Sequence, residues 1–457
     1  MDIQHLINKY HVAAPRYTSY PTVPYWNTNS FSTENWLQSV QASFSQSNLR
    51  DGISLYIHLP FCENLCTYCG CNTRITKNHR VEEPYIQAVL KEWNMYCTVL
   101  DDVPRIKEIH LGGGTPTFFS PQNLQLLIEG ILNRATVHPD AEFSFEAHPA
   151  NTTLTHLETL YQLGFRRLSL GIQDFDPKVQ FIINRMQSYE QVKRVTEHAR
   201  TTGYSSVNYD LIYGLPLQTL NGMEDTLEKV SGLMPDRIAF YSYAHVPWIK
   251  PGQRRFTEQD LPSPAVKRQL YELGRSVFTT SGYEEIGMDH FALLSDSLYQ
   301  AAQAGTLHRN FMGYTHQYTQ LMLALGVSSI SDTSFAFAQN VKQVEEYIDL
   351  IDKNIFPVFK GHLLSAEDRM IRGHVLNIMC KGQTSWTDID ITACPALLQG
   401  LERMHALEED GLVVLDRQQC TLWVTDTGKR FLRNICMALD ARLWEKQPGT
   451  QIFSYTG

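Results

Sequence analysis

The pattern of hydrophobic and polar positions changes near residue 53. Before it, the chain shows no sustained hydrophobic period, and two prolines bracket the aromatic run at 15–21. Proline fixes its own φ and pushes the preceding residue toward extended backbone, so we predict an extended N-terminal arm rather than a helix. After residue 53, short apolar or alternating runs alternate with longer stretches of helical period. This alternation predicts right-handed crossovers and a parallel sheet.

Six strands are predicted in this region, with helices between them. The predicted strands are 53–59, 106–111, 141–147, 167–172, 206–212 and 237–243. The predicted helices include 83–99, 120–132, 189–202 and 223–233. Polar residues or glycine follow nearly every strand, and in a β/α barrel such strand ends converge on one mouth, where active sites lie. We therefore expect an α/β fold with a partial (β/α)6 barrel; a doubly wound sheet is the alternative.

The pattern beyond residue 364 differs from that of the barrel region. Helices are predicted at about 365–380 and 395–409, a hairpin at 412–415 and 421–424, and a further helix from Asp426. Two helices and a hairpin resemble a small winged-helix module, and because this segment is not notably basic we expect a lid or wall of the site rather than a DNA reader. The predicted domains are an N-terminal arm (1–50), the partial barrel (51–290), a connecting active-site segment (291–360) and a mainly helical C-terminal domain (361–457).

Composition restricts the partners of this chain. Its 457 residues, 43% of them hydrophobic, suffice for one large core and a smaller second one. The formal net charge of −9 and the lack of a long basic run argue against nucleic-acid binding. No apolar run reaches the roughly 18–20 residues that span a bilayer, and the first ten residues do not resemble a signal peptide. We expect a cytoplasmic monomer without a membrane partner.

Four of the nine cysteines fall within ten residues: Cys62, Cys66, Cys69 and Cys71. The first three have the spacing C-x3-C-x2-C. Four-iron clusters normally take four thiolates, so three thiolates leave one iron open, as at a catalytic metal site. We predict a [4Fe–4S] cluster on Cys62, Cys66 and Cys69. The alternative is a zinc site, and a zinc-stabilised structural protein, with Cys71 as fourth ligand; no second pair of cysteines at knuckle spacing supports it.

A glycine run, 112–114, follows the second predicted strand. Glycine lets the backbone approach a ligand closely, and its N–H groups can bind a carboxylate or cap an amino acid. Beside the cysteine loop, this run predicts cofactor contact; an ordinary tight turn is the alternative.

The cysteine spacing is the signature of the radical S-adenosylmethionine superfamily. Other segments make the resemblance more specific: PRYTSYP at 15–21, Cys69-Gly70-Cys71, the glycine run through Pro116, DLIYGLP at 210–216, GMDHF at 287–291 and LHRNF at 307–311. Together they resemble the oxygen-independent coproporphyrinogen III dehydrogenases over nearly the whole chain.

The resemblance implies two S-adenosylmethionine molecules beside the cluster, which would supply an electron to form a 5′-deoxyadenosyl radical. The molecule chelated to iron would contact Tyr56, Gly113, Glu146 and Ile330. The second molecule would be lined by Tyr68, Gly114, Thr115, Gln173, Arg185, Asp210 and Ala244. The implied catalytic residues are Tyr56, Glu146, Phe311 and Ile330.

The implied substrate is coproporphyrinogen III, which carries four propionates. Two would become vinyl groups with loss of carbon dioxide, giving protoporphyrinogen IX for haem biosynthesis; the electron donor and acceptor are not identified. Arg16 and Arg309 are candidate propionate ligands, and Tyr17 and Tyr20 are candidate aromatic contacts.

Three departures from the family pattern surround the expected substrate and cofactor region. Met312 replaces a glutamine, residues 318–321 lack the usual acidic residues, and His148 stands where the family often has aspartate. The cluster ligands are unchanged. A haem-binding chaperone on the same scaffold and a divergent paralogue without dehydrogenase activity are therefore the alternatives.

Overall fold

The computed structural model of the chain describes residues 3–456. These residues form two compact units. The sheet unit contains Thr28–Tyr283 and Thr319–Leu363. The terminal unit contains the described residues up to Asn27, Glu284–Tyr318, and the described residues from Leu364 onward.

The elements of the described chain are as follows. The helices are α1 (Ile3–Tyr10), α2 (Thr33–Asp51), α3 (Glu82–Val99), α4 (Pro121–Leu132), α5 (Leu154–Gln162), α6 (Pro177–Ile182), α7 (Tyr189–Thr202), α8 (Leu220–Leu233), α9 (Pro264–Thr280), α10 (Ser297–Gln303), α11 (Val344–Asp352), α12 (Ala366–Lys381), α13 (Asp388–Ala393), α14 (Pro395–Glu409), α15 (Leu432–Leu439) and α16 (Ala441–Glu445). The strands are β1 (Ile53–Leu59), β2 (Phe61–Cys62), β3 (Arg74–Ile75), β4 (Arg105–Gly113), β5 (Thr136–Ala147), β6 (Phe165–Gln173), β7 (Ser206–Tyr213), β8 (Arg237–Ser242), β9 (Tyr283–Ile286), β10 (His290–Leu293), β11 (His308–Asn310), β12 (Gly313–Thr315), β13 (Leu321–Leu325), β14 (Ile330–Thr333), β15 (Ala336–Asn340), β16 (Val358–Leu363), β17 (Gln383–Ser385), β18 (Val413–Asp416) and β19 (Thr421–Val424).

Six parallel strands form the centre of the sheet unit, in the order β1-β4-β5-β6-β7-β8. All six were predicted, although β5 begins five residues earlier than expected. The intervening helices start at clear signals: α7 has Ser188 as N-cap in a capping box with Gln191 and ends at Gly203, whose φ is 110°. The predicted α/β fold with a large parallel sheet is confirmed.

The sheet extends beyond the predicted six strands. β13 pairs in parallel with β1, and β14, β15 and β16 follow as antiparallel neighbours. Residues 291–360 were predicted as a connecting segment, yet these four strands lie within or reach into that range. Among the described residues of this unit, β16 ends the sheet as an edge strand, so the sheet does not close into a full barrel.

The expectation of an arm without helices over residues 1–50 is wrong outside the PRYTSYP run. α1 and α2 are helices, whereas residues 15–21 are not helical. α2 buries Trp36, Val40 and Phe44 with a spacing of four, but serines share that buried face. Their hydroxyls bond to backbone carbonyls within the helix, as Ser39 does to Trp36 at 2.7 Å. Because polar residues lie on the buried face, the sequence of α2 lacks a clear helical period of hydrophobic residues, and the pattern did not predict this helix.

The terminal unit contains the predicted C-terminal helices and hairpin, with three corrections. β17 adds a third strand beside β19, and α13 lies before α14. The helix expected from Asp426 begins at Leu432, after a 3-10 turn over Gly428–Phe431. The Thr425 hydroxyl accepts from the Gly428 N–H at 3.0 Å, and this turn delays the helix.

The two ends of the described chain are joined within the terminal unit. Ala14 N–H donates to the Ser454 carbonyl at 3.1 Å. The buried Arg433 donates to the carbonyls of Pro15 and Tyr455 at 3.1 and 2.7 Å and also to those of Ala14 and Ser454. Because backbone carbonyls occupy its guanidinium, Arg433 holds the start of the PRYTSYP run in place.

None of the helices in residues 3–456 combines the length and the apolar character that crossing a membrane requires.

Candidate active site

A cavity of about 500 Å³ lies where the carboxyl ends of the parallel strands meet in the sheet unit. Its lining includes ten predicted site residues: Cys62, Cys66, Tyr68, Cys69, Gly114, Thr115, Glu146, Gln173, Arg185 and Asp210. These positions are far apart in sequence and come together because parallel strands end at the same edge. The structure therefore gathers the predicted cysteines and most predicted cofactor ligands around one space.

The cysteine loop leaves β1 and is closed by a short parallel ladder. β2 and β3 pair so that Cys62 lies opposite Ile75. Inside the loop, the Cys69 N–H donates to the Cys66 carbonyl at 3.1 Å, and the Thr115 hydroxyl lies 3.2 Å from the Cys62 sulfur. Cys62, Cys66 and Cys69 all line the cavity.

The pKa values of the thiols in the cysteine loop are shifted in different directions. Burial raises the pKa of Cys62 to about 11. Hydrogen bonding with Cys71 lowers the pKa of Cys69 to about 6, and the Cys71 N–H points at the Cys69 sulfur at 3.4 Å. Metals bind thiolates, and Cys71 acts here as the hydrogen-bond partner of Cys69.

The donor set fits an iron–sulfur cube better than a zinc ion. Tetrahedral zinc with Zn–S bonds of about 2.3 Å brings its sulfurs within about 4 Å of one another. In the described part of the chain, no three His, Cys, Asp or Glu side chains are placed to hold one metal ion. A cube carries each cysteine on a separate iron, and three cysteines that line one cavity suit it.

The N–H groups of Gly113 and Gly114, in the glycine run, bond to other groups of the protein. Gly113 N–H donates to a Glu146 carboxylate oxygen at 3.2 Å, and Gly114 N–H donates to the Leu59 carbonyl at 2.9 Å. A Cβ on Gly114 would lie 2.5 Å from the Pro60 carbonyl oxygen. Glycine is needed here because the turn packs directly against the end of β1.

Tyr56 lies on β1 outside the cavity lining, with its hydroxyl directed at His58. His58 Nε2 lies 2.9 Å from the Asn72 carbonyl, which can only accept, so Nδ1 accepts from the Tyr56 hydroxyl at 3.0 Å. The Tyr56 ring stacks on His110, with centroids 6.0 Å apart. Tyr56 is thus held in a fixed orientation beside the cavity wall.

Glu146 is the carboxylate at the end of β5. It accepts from Gly113 N–H, and its other oxygen lies 3.6 Å from His110 Nε2. Burial works to raise the pKa of this carboxyl, but His110 and the Gly113 N–H outweigh it, and the pKa is lowered overall. An ionised carboxylate here can accept two hydroxyl hydrogen bonds.

Asp210 is the second carboxyl of the cavity, and its pKa is shifted in the direction opposite to that of Glu146. Burial, with a contribution from the negative charge of Glu146, raises its pKa to about 6. Ser169 donates to one oxygen at 2.9 Å and Asn208 to the other at 2.8 Å. These bonds fix the plane of the carboxyl group.

Arg185 places a positive charge at the lining of the cavity. Its Nη2 donates to the Gly171 carbonyl at 2.5 Å and its Nη1 lies 3.6 Å from the Cys66 sulfur. Its Nε is buried without a hydrogen-bond partner among the described residues. Tyr68 lies beside it and packs against an apolar cluster to which α6 contributes.

The remaining predicted cofactor residues are arranged as follows. Gln173 lines the cavity in a left-handed conformation, with φ 67°. Ala244 follows β8 outside the lining, and Gln253 donates to the carbonyls of Ala244 and Tyr68 at 3.3 and 3.0 Å. Ile330 begins β14, also outside the lining. Gln253 therefore joins two segments that were both predicted to contact a cofactor.

Phe311 and Arg309 belong to the terminal unit. Phe311 lies between β11 and β12 and meets Trp26 edge-on, with ring centroids 6.4 Å apart. Arg309 is 4% exposed, lies over the Tyr314 ring at 4.4 Å, and has Nε and Nη1 buried without a hydrogen-bond partner in the described chain. A buried guanidinium without an acidic partner is costly, so Arg309 is a functional candidate within its own unit.

Arg16, the other predicted propionate ligand, pairs with Asp289 at 3.4 Å in the same unit, and its carbonyl accepts from Arg309 at 3.4 Å. The GMDHF and LHRNF segments therefore meet the PRYTSYP run.

The sequence reasoning missed the side chains that orient the predicted ligands. His110, which bonds to Ser144 at 2.8 Å, stands beside Glu146, and Ser169 and Asn208 hold Asp210. A signal was present: polar residues recur at every second position of β4, β5, β6 and β7, so they share one face of the sheet. Reading that alternation across strands could have identified them.

Comparison with known proteins agrees with this geometry. The model of the radical SAM superfamily matches residues 56–230, a segment that begins at Tyr56 and ends within α8. That span contains the cysteine loop and every residue that lines the cavity.

Several relatives match nearly the whole chain. The oxygen-independent coproporphyrinogen III oxidase of Escherichia coli is 37% identical over 445 residues, which cover 96% of this chain and 95% of the relative. The proteins of the same name from Synechocystis and Helicobacter pylori are 36% and 38% identical, and each match covers 97–98% of both chains.

A solved structure is also similar over nearly its full length. The Escherichia coli coproporphyrinogen III oxidase, described as a radical SAM enzyme, matches with a TM-score of 0.88 and 35% identity over 96% of this chain and 98% of that one. The similarity therefore includes both compact units.

Proposed function

Because the chain belongs to the family of oxygen-independent coproporphyrinogen III oxidases, we propose that it oxidatively decarboxylates coproporphyrinogen III. Two propionates become vinyl groups, giving protoporphyrinogen IX. Each conversion releases one carbon dioxide, one hydrogen atom and one electron. The observation that carries the proposal is the meeting of Cys62, Cys66 and Cys69 with two carboxyls and an arginine in one cavity.

Cys62, Cys66 and Cys69 hold the cluster in this proposal. When bound, the cluster and S-adenosylmethionine supply a carbon radical able to take hydrogen from the propionate carbon next to the ring. The chain's own contribution is to orient the reactants and restrict the access of water. The parallel strand ends carry most of the proposed ligands on rigid elements, which keeps the reacting groups in a fixed geometry.

The two-site arrangement of S-adenosylmethionine is the finer part of the proposal. The first molecule contacts Tyr56, Gly113, Glu146 and Ile330, and the second contacts Tyr68, Gly114, Thr115, Gln173, Arg185, Asp210 and Ala244. Ionised Glu146 suits the hydroxyls of a ribose because a carboxylate accepts hydrogen bonds. The arginine of the second set suits a carboxylate, since its guanidinium has no acidic partner among the described residues.

Phe311 completes the proposed catalytic set, and Arg16 and Arg309 are proposed ligands of the substrate propionates. Their support is the buried, incompletely bonded guanidinium of Arg309 and the contact of its segment with the PRYTSYP run. We also propose that the enzyme acts as a monomer in the cytoplasm with external electron donors and acceptors. All nine cysteines are free, as expected in a reducing compartment.

The test is an anaerobic incubation of cluster-loaded protein with coproporphyrinogen III, a reductant and S-adenosylmethionine. Fluorescence of the oxidised products identifies the vinyl product, and chromatography measures 5′-deoxyadenosine. We expect both products in the wild type and neither in Cys62→Ala. Equilibrium dialysis should show two S-adenosylmethionine molecules per chain.

Other outcomes identify the alternatives. Transfer of haem without decarboxylation would indicate a chaperone. A colourless preparation without iron or sulfide would indicate a zinc protein. Deoxyadenosine without vinyl product would indicate a paralogue with another substrate, and would bring Met312 and residues 318–321 into question.

A further inference from the structure

The environment of His148 fixes its protonation. His148 follows β5 and lines the cavity, and its Nδ1 accepts from the Ala150 N–H at 3.1 Å. In a neutral imidazole, one nitrogen accepts and the other carries the proton. Burial, with a smaller contribution from the charge of Arg185, lowers the pKa of His148 to about 3. The side chain is therefore neutral, with its proton on Nε2.

Nε2 is a donor without a protein acceptor. The described residues provide bonds for the backbone and Nδ1 of His148, but none for Nε2. Because His148 lines the cavity, this N–H is available to a ligand that accepts hydrogen bonds.

Arg185 lines the same cavity and also has a donor without a protein acceptor. Its Nε is buried without a partner, and no carboxylate of the described chain pairs with its guanidinium. The two other charged side chains of the lining described above are engaged: Glu146 with Gly113 and Asp210 with Ser169 and Asn208. Two donors are thus incomplete in one cavity, one of them positively charged.

We propose that His148 and Arg185 form one carboxylate-binding subsite, in which Arg185 supplies the charge and His148 Nε2–H supplies a neutral second donor. The proposal rests on the proposed function and adds His148, whose position in the family often carries aspartate. An aspartate there would present acceptors to the cavity, whereas this histidine presents a donor. The carboxylate comes from the methionine part of a bound S-adenosylmethionine or from a propionate of the porphyrinogen.

The test compares His148→Asp with His148→Asn in cluster-loaded protein. Both side chains are short and can accept from the Ala150 N–H as an Asx turn, so the local turn is kept in each. They differ in that Asn offers the cavity an N–H donor and Asp offers it a negative charge. We expect Asp to weaken carboxylate binding by about tenfold or more, and Asn by about threefold or less.

Two probes distinguish the sources of the carboxylate. Equilibrium dialysis measures the Kd of S-adenosylmethionine and of its decarboxylated analogue, and turnover measures the KM of coproporphyrinogen III. If the ligand is S-adenosylmethionine, His148→Asp weakens it and leaves the decarboxylated analogue unchanged. If the ligand is a propionate, the KM of the porphyrinogen rises and both Kd values stay constant.

A matched control lies on β5, the strand that His148 follows. His138 Nδ1 accepts from the Asp140 N–H at 3.1 Å, the same local bond outside the cavity lining. His138→Asp and His138→Asn should change neither Kd nor KM. The proposal is overturned if His148→Asp and His148→Asn have equal effects, or if kcat alone falls. If the wild type makes no vinyl product but dialysis still separates Asp from Asn, the proposed function fails and the subsite stands.

Discussion

Two buried polar regions of the sheet unit differ in whether their hydrogen bonds are complete. Glu92 of α3 is fully buried and accepts from Gly326 N–H at 2.8 Å, Asn340 at 2.7 Å and the Tyr347 hydroxyl at 2.6 Å. We call these four residues the Glu92 network. In the cavity, by contrast, His148 Nε2–H and Arg185 Nε–H have no acceptor among the described residues.

The difference separates stability from ligand binding. A buried polar group that is fully bonded holds elements together, because breaking any bond leaves a partner unsatisfied. The Glu92 network joins α3, β15, α11 and the turn after β13 in this way. A buried donor without a partner, such as Arg185 Nε, costs stability, and a donor that lines a cavity can bond to a ligand there. Substitutions in the two regions should therefore affect different measurements.

The largest effect should come from the cysteine loop. In Cys66→Ala we expect vinyl product formation to fall by about a thousandfold or more, because the cluster loses a ligand and radical chemistry loses its source. The free energy of unfolding of cluster-free protein should change by less than about 1 kcal/mol. Product assays, iron content and urea unfolding test this, and Cys97→Ala, outside the loop, is the control. Retained turnover in Cys66→Ala would contradict the assignment of the cluster.

The second effect is on stability. Glu92→Ala leaves three buried donors without an acceptor, so at pH 5 we expect a loss of about 3 kcal/mol or more in the free energy of unfolding. Activity per folded molecule should remain. Urea unfolding measures the loss, and Glu129→Ala on the exposed face of α4 is the matched control. If Glu92→Ala lowers activity without lowering stability, the comparison of the two regions is wrong.

The pH dependence of the free energy of unfolding gives a second test of the contribution of Glu92 to stability. Burial raises the pKa of Glu92 from 4.5 to about 7, so the folded state binds the proton more tightly than the unfolded state. The contribution of Glu92 is complete below about pH 4.5 and is lost as pH rises through about 7. The stability advantage of wild type over Glu92→Ala should therefore shrink between pH 5 and 8, by an amount on the order of 3 kcal/mol.

Buried histidines with lowered pKa values change stability with pH in the opposite direction. Their contribution is the same in wild type and in Glu92→Ala, so it cancels when one curve of unfolding free energy against pH is subtracted from the other. His290 and His308, with pKa values of about 3, make stability rise with pH below their usual range. A difference between wild type and Glu92→Ala that is constant from pH 5 to 8 would show that Glu92 does not titrate in this window.

The smallest effect should follow from Ser169→Ala in the cavity. The Ser169 hydroxyl lowers the pKa of Asp210, so its loss should raise that pKa further and weaken S-adenosylmethionine binding by about threefold. The measurement is the pH profile of the Kd, whose acidic limb should move to higher pH. Ser205→Ala, which removes an exposed bond to the Arg166 carbonyl at the other end of the strands, is the control.

The sequence by itself determined the features encoded over short distances. The spacing of Cys62, Cys66 and Cys69, the six parallel strands, and the polar residues at their ends are local patterns. The period of a strand and the chemistry of a loop can be read from neighbouring residues. The family resemblance, which indicated the reaction, also depends on short motifs, and the comparisons confirmed it.

The tertiary structure alone decided which of these residues meet. The hydrophobic pattern did not predict α2, because its buried face carries serines. The hydrogen bond between Tyr347 and Glu92 joins residues 255 positions apart in the sequence. The glycine run did not indicate that the Gly113 and Gly114 N–H groups bond to Glu146 and Leu59. The sequence also does not show that donors of His148 and Arg185 lack a protein acceptor, because this depends on the hydrogen bonds of all the residues around them. Hydrogen bonding is settled by packing between distant segments, and a local pattern does not specify that packing.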